Sequence, residues 1–152
     1  MGEKASDCVM CRANELNDDE ANLILHRGKL CYIMLNRYPY NNGHLMIVPY
    51  AHKSSIHELD ISAWHEAADL IRICELALCE VYHCDGINIG MNLGSAAGAG
   101  IAEHLHIHMV PRWQGDSNFM TVVSGERVIP EAFSETYHKL KKAIGKVLSE
   151  HE

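Results

Sequence analysis

The chain has 152 residues, 47% hydrophobic and 22% charged, a length that suits a single domain spanning 1–152 and burying about two-thirds of the surface its unfolded form exposes. Its formal charge of −7, from 13 basic and 20 acidic residues, argues against a nucleic-acid partner, which calls for a basic surface, yet leaves room for a small phosphorylated ligand held by backbone N–H groups. No apolar run approaches the ~20 residues that cross a bilayer, and the N-terminal MGEKASDCVMC has no apolar signal region, so a cytoplasmic protein with no membrane partner is expected.

Cys8 and Cys11 come first in the chain, in a CVMC spacing that fits a metal knuckle or a redox pair, and eleven histidines elsewhere offer further ligands. The other cysteines, Cys31, Cys74, Cys79 and Cys84, read as reduced, buried small hydrophobes. The run NDDEANLILHRGKLCYIMLN predicts an acidic turn and two strands around Arg27 and Gly28, the second over 30–35. Pro39, Asn41, Asn42 and Gly43 then make a turn before a strand over 44–48, which gives an antiparallel meander. Between 60 and 82, Ile61, Trp64, Ala68, Ile71, Leu76 and Leu78 recur at near-helical spacing and predict the one long internal helix. A strand over 86–93, a small-residue loop over 94–100 and the segment EHLHIHMVPRW follow. A strand over 119–123 and a helix over 130–148 close the chain, with Pro130 suited to that helix's first turn and Lys139, Lys141, Lys142 and Lys146 to its end. The class is α+β.

On a strand, His104, His106 and His108 share one face while Leu105, Ile107 and Met109 take the other. The ends of that row lie about 13 Å apart, too far for all three to bind one metal, although two neighbours could. The preceding loop, Gly94-Ser95-Ala96-Ala97-Gly98-Ala99-Gly100, has no bulky side chain and suits close backbone approach to an anion. A largely neutral imidazole can attack phosphorus without a separate base if its other nitrogen is held in the correct tautomer. His106 is best placed for this, with Arg112 adding positive charge nearby. An open metal held by His104 and His106, acting as a hydrolase centre, is the other chemical reading.

HLHIHMV resembles the His-x-His-x-His signature of the histidine triad (HIT) superfamily. The likeness extends to NRYPYNNGHLMIVPYAH and to AGAGIAEHLHIHMVPRWQGDSNFM followed by VIPE, which are similar to the bacterial branch of dinucleoside polyphosphate phosphorylases, and it covers roughly 8–140. It implies a HIT fold: an antiparallel five-stranded-type sheet, one long internal helix and a C-terminal helix. It further implies that His106 is the nucleophile, that His108 contacts phosphate and leaving group, and that His44 borders the site. Asn36 would bind ribose, and Asn92, Ser95, Gly100 and Ile101 phosphates. Trp113 would pack over the site and Asn118 line it. Gly100 and Ile101 stand where the family usually has Gln or Ser/Thr, a departure that suits the phosphorylase-like branch. Zinc-bearing members bind their metal through positions matched here by Cys8, Cys11, His52 and His104, a closed and therefore structural set, with His57 a rival to His52. His26, His65, His83, His138 and His151 read as surface residues.

The expected activity is cleavage of diadenosine tetraphosphate (AppppA) or a similar dinucleoside polyphosphate through a nucleotidyl-histidine. Phosphate as acceptor, giving ADP plus ATP, is preferred over water. A dinucleoside polyphosphate or nucleoside phosphoramidate hydrolase and a non-catalytic nucleotide-binding adaptor are the alternatives. Zinc is the expected cofactor, Mg would arrive with the nucleotide, and a homodimer or higher homo-oligomer is expected.

Overall fold

The computed structural model describes residues 6–116 and 131–151. In chain order the elements are α1 (Val9–Glu15), β1 (Ile24–Arg27), β2 (Cys31–Leu35), β3 (Leu45–Pro49), α2 (Ile61–Tyr82), β4 (Gly86–Gly90), β5 (Ile107–Arg112) and α3 (Phe133–Glu150). The five strands form one antiparallel sheet in the order β1-β2-β3-β5-β4, so the expected meander is extended by a strand pair that the long helix separates. β5 lies between β3 and β4, and β4 is an edge.

Strand alternation sorts the apolar residues into two layers. Ile33, Leu35, Leu45, Ile47, Ile107 and Met109 pack with Leu70, Cys74, Leu78, Leu140 and Ile144 of α2 and α3. The opposite face carries Tyr32, Met46 and Val48 against Cys8 and Met10 at the start of α1. The helix α1 has only seven residues and no side-chain cap, far short of the ~12–15 that an isolated helix needs, so its stability comes from what it touches. Met10 is buried, its carbonyl accepts the Tyr32 hydroxyl at 2.9 Å, and Arg27 donates to the Asn14 carbonyl and side chain.

The turn before β2 is held from the helix layer. The Glu66 carboxylate of α2 accepts the N–H groups of Leu30 and Cys31 at 3.0–3.1 Å, where strand pairing leaves them free. Gly43, in the turn before β3, has φ +77, and a Cβ there would lie 2.6 Å from the Tyr82 ring. Both backbone conformation and space therefore require glycine, and Gly43→Ala is expected to cost about 1–3 kcal/mol, measurable as a lower midpoint in urea with an unchanged slope.

Several elements differ in detail from the sequence-based expectation. The strand expected over 86–93 stops at Gly90, and the ladder of β5 starts only at Ile107. His104 and Leu105 precede it, where the Leu105 N–H donates to the Lys53 carbonyl at 2.7 Å. The C-terminal helix begins at Phe133 and has no basic residue in its last turn; its lysines instead pair with acids, Lys146 with Glu80 and Lys139 with Glu131 and Glu135. Pro130, Asn118 and the strand expected over 119–123 lie outside the described residues. Cys31 and Cys74 are buried thiols, but Cys79 is exposed and Cys84 half-buried, because they flank the solvent-facing end of α2. His26 is half-buried, whereas His65, His83, His138 and His151 are on the surface. No described helix is long and apolar enough to cross a membrane.

Candidate active site

Cross-strand pairing places Met34 of β2, Met46 of β3, His108 of β5 and Gly90 of β4 in one row on the α1 side of the sheet. A cleft of about 720 Å³ opens on this row. It is lined by Val9, Arg12 and Ala13 of α1 and Leu16 just after it, by Asn92, Gly98, Gly100 and Ile101, and by His106 and His108. The side chains of Asn36, Arg37, Tyr38 and Tyr40, from the end of β2 and the turn after it, complete the lining.

Hydrogen bonds to groups with a fixed role determine the tautomer of each histidine. A carbonyl only accepts. The His104 carbonyl lies 2.9 Å from His106 Nδ1, so that nitrogen carries the proton and Nε2 of the neutral ring is left with its lone pair. The Pro49 carbonyl lies 2.8 Å from His104 Nε2, which leaves the lone pair of His104 on Nδ1. His44 is fixed from the other direction. The Tyr40 backbone N–H donates to its Nδ1 at 3.0 Å, so Nε2 bears the proton and donates to His108 Nδ1 at 2.9 Å. His108 in turn carries its proton on Nε2. With the His44 Nε2–H given to His108, the amide nitrogen of Asn36 at 3.3 Å has no acceptor there, and Asn36 instead accepts the Tyr38 N–H at 2.8 Å.

Burial lowers the pKa of His104 and of His106, the carbonyl partners opposing it. Burial, followed by the neighbouring His106, pushes His108 down to about 4. These rings are thus kept neutral at pH 7. Unfolded, His108 would titrate near 6.5. Between about 6.5 and 4 the unfolded chain binds this proton and the folded chain does not, so the contribution to stability is complete above about 6.5 and declines as pH falls.

A second cluster adjoins the first. Ligand atoms of Cys8, Cys11, His52 and His104 all lie within 4.8 Å of one another. His104 Nδ1 is 3.4 Å from Cys8 Sγ and 3.5 Å from Cys11 Sγ, and His52 Nδ1 is 3.4 Å from Cys11 Sγ. Two thiols and two imidazoles gathered within this distance form a donor set that suits a tetrahedral metal, and four protein donors leave no open position. His57 is not in this group; it is exposed and 2.7 Å from the Ser55 hydroxyl. The cluster could therefore hold a metal ion without involving His106.

Residues 18–115 match the family model described as HIT domain. The chain belongs to the HIT domain family. The AP-4-A phosphorylase of Mycobacterium tuberculosis is 46% identical to this HIT protein over 122 residues, covering 78% of this chain and 60% of that one. The chain thus spans about three-fifths of that relative's length. A Bis(5'-adenosyl)-triphosphatase of Saccharomyces cerevisiae is 28% identical over 60% of this chain and 44% of its own. Among solved structures, a Zn-bound histidine triad family protein from Mycobacterium smegmatis superposes with a TM-score of 0.76 at 24% identity, covering 98% of this chain and 100% of that one.

In this HIT protein the cleft gathers Asn36, Asn92, Gly100, Ile101, His106 and His108, with His44 bonded behind His108. Three other candidates lie outside its lining. Ser95 is exposed in a 3-10 turn, Ser95–Ala97. Arg112 pairs with Asp116 at 2.6 Å and donates to Asn88 at 2.8 Å, six residues along the strand from His106. The Trp113 indole donates to the Tyr82 carbonyl at 3.2 Å and meets the Tyr82 ring edge-on. Sequence reasoning did not single out the α1 wall, Arg37 or the Tyr40 N–H. The spacing of Val9, Arg12, Ala13 and Leu16 would have placed those residues on one helical face, but nothing local aims that face at the histidines.

Proposed function

We propose that this HIT protein cleaves dinucleoside polyphosphates by nucleotidyl transfer through His106, with AppppA plus phosphate giving ADP plus ATP as the preferred reaction. The observation that carries the reading is the tautomer of His106, whose proton is held on Nδ1 by the His104 carbonyl while Nε2 is free to attack beside the cleft. Its likeness to the AP-4-A phosphorylase supports the same substrate class.

In the first step His106 Nε2 forms a bond to an α-phosphorus as the bond to the bridging oxygen breaks. The ring becomes an imidazolium whose Nδ1–H remains on the His104 carbonyl, a hydrogen bond that strengthens with the positive charge. The Nε2–H of His108 is the donor for the departing ATP oxygen, and His44 keeps that proton on the correct nitrogen. In the second step a phosphate oxygen attacks the phosphorus, His106 leaves as the neutral ring, and ADP is formed. Asn36 is assigned to ribose, and Asn92, Gly100 and Ile101 to phosphates. Cys8, Cys11, His52 and His104 would hold zinc, which when bound supplies a structural crosslink. Edge strand β4, with Ile89 exposed, is the proposed site of pairing with a second copy.

The test is incubation with AppppA with and without phosphate, followed by separation of products. ADP plus ATP that appears only with phosphate supports phosphorolysis. AMP plus ATP regardless of phosphate replaces the acceptor by water, and no cleavage of any dinucleotide overturns the enzymatic reading. Because His108 must be neutral to accept from His44 and His106 must be neutral to attack, and burial lowers both, His108 to about 4, the acid limb of kcat/KM is expected below 6.5. An acid limb centred near 6.5 would show that one of these two rings titrates like a solvated histidine.

A further inference from the structure

The charge of the cleft differs from that of the chain. The protein has 20 acidic residues against 13 basic ones, yet among the described residues no aspartate or glutamate lines the cleft, while Arg12 and Arg37 both do. The other described arginines are neutralised locally: Arg27 by Asp19, Arg72 by Asp69 and Arg112 by Asp116. The Arg12 guanidinium has no ion pair or hydrogen bond among the described residues, and the Arg37 guanidinium gives a single N–H to the Ala21 carbonyl at 3.2 Å. Two guanidinium groups without carboxylates, facing a cleft that excludes acids, form a site complementary to a polyanion.

Their placement narrows what the polyanion is. Arg12 lies three residues after Val9 and four before Leu16, so it projects from the same face of α1 as these apolar residues. Arg37 follows Asn36 at the end of β2. Both line the cleft from elements other than the segment that carries His106 and His108, a cleft to which Gly98 and Gly100 also contribute. Resting on the nucleotidyl-transfer reading above, we infer that Arg12 and Arg37 bind the phosphates beyond the one attacked and so make the site selective for long polyphosphate chains. A guanidinium fork binds phosphate oxygens bidentately, and each further phosphate adds charge that, among the described residues lining the cleft, these two arginines meet.

The experiment is a calorimetric binding series with AMP, ADP and ATP on the metal-replete full chain, repeated for Arg12→Gln, Arg37→Gln and the double variant. Circular dichroism and metal content serve as controls for the fold of α1. Wild-type affinity is expected to rise about tenfold or more from AMP to ATP, with the rise shrinking as salt is added. In the double variant AMP is expected to bind within about twofold of wild type while ATP loses about tenfold. Equal losses for AMP and ATP would place the arginines on the nucleoside or the reacting phosphate and overturn the inference, as would an unchanged series. If the wild-type protein binds neither AMP nor ATP, the functional reading itself fails, a result distinct from a flat series in a protein that binds both.

Discussion

Replacing His106 by Asn is expected to lower turnover of a dinucleoside polyphosphate by about 10⁴-fold or more, the scale seen when a nucleophile is removed from a two-step mechanism. The expectation rests on two atoms. His106 Nε2 is the ring nitrogen left bare by the 2.9 Å hydrogen bond from Nδ1 to the His104 carbonyl, and burial keeps the ring neutral. Asn retains polarity and some of the volume but has no lone pair of comparable basicity. Intact-mass measurement after brief exposure to substrate gives the second readout: one nucleotidyl group per chain in the wild type and none in the variant. Turnover that survives in His106→Asn, or an adduct that persists in it, would move the nucleophile elsewhere. His44→Phe is the companion. It leaves His106 untouched but removes the Nε2–H that fixes His108, so adduct formation should slow while the attachment site is retained.

The metal cluster carries the second large effect. A closed tetrahedral site can contribute on the order of 10 kcal/mol to folding, comparable with the whole stability of a small domain. Here it would join the start of α1 to the loop bearing His52 and to His104. Replacing Cys8 and Cys11 together by Ser is expected to remove one metal ion per chain by mass spectrometry. The thermal midpoint should fall by about 6–12 °C for every 3 kcal/mol lost. The cleft should suffer as well, because Val9, Arg12 and Leu16 form its wall only while α1 is ordered, so nucleotide affinity should decline with metal content. A chelator is expected to act slowly, at the rate at which α1 opens. Instant loss of turnover with full retention of stability would mean that the ion is catalytic and that the four-ligand geometry does not describe the working site.

The legible parts of the fold are those in which neighbours in sequence are also neighbours in space. The long apolar periodicity of α2, the turn at Gly43 and the alternation around His106 and His108 all carry their own signal, and a Cys-x-x-Cys spacing constrains its ligands before any fold is known. His52 and His104 could be joined to Cys8 and Cys11 only through the family resemblance, since nothing local brings these positions together. Tertiary facts account for what was not visible. The Tyr40 N–H that sets the His44 tautomer is a backbone group any residue would supply, and Arg12 looks like one solvated arginine among several until Asp19, Asp69 and Asp116 are seen to claim Arg27, Arg72 and Arg112 and not Arg12 or Arg37. Cys79 was expected to be buried from its apolar neighbours, but its side of α2 faces outward.

Three histidines in five positions also determine where the chain tolerates a change of length. His104, His106 and His108 have the same parity, and each meets a partner fixed in another element: Cys8 and Cys11, the cleft, and His44. One residue inserted or deleted between 104 and 108 would turn part of the set to the helix layer, where Leu105, Ile107 and Met109 now sit. The loop just upstream is limited by backbone conformation and not by packing: Gly94, Gly98 and Gly100 have no atom within 4 Å of where a Cβ would stand, but Gly94 and Gly98 hold φ of +81 and +88. A change of length is therefore expected to be borne better over 94–100, at a cost to the cleft that Gly98 and Gly100 line, than over 104–108.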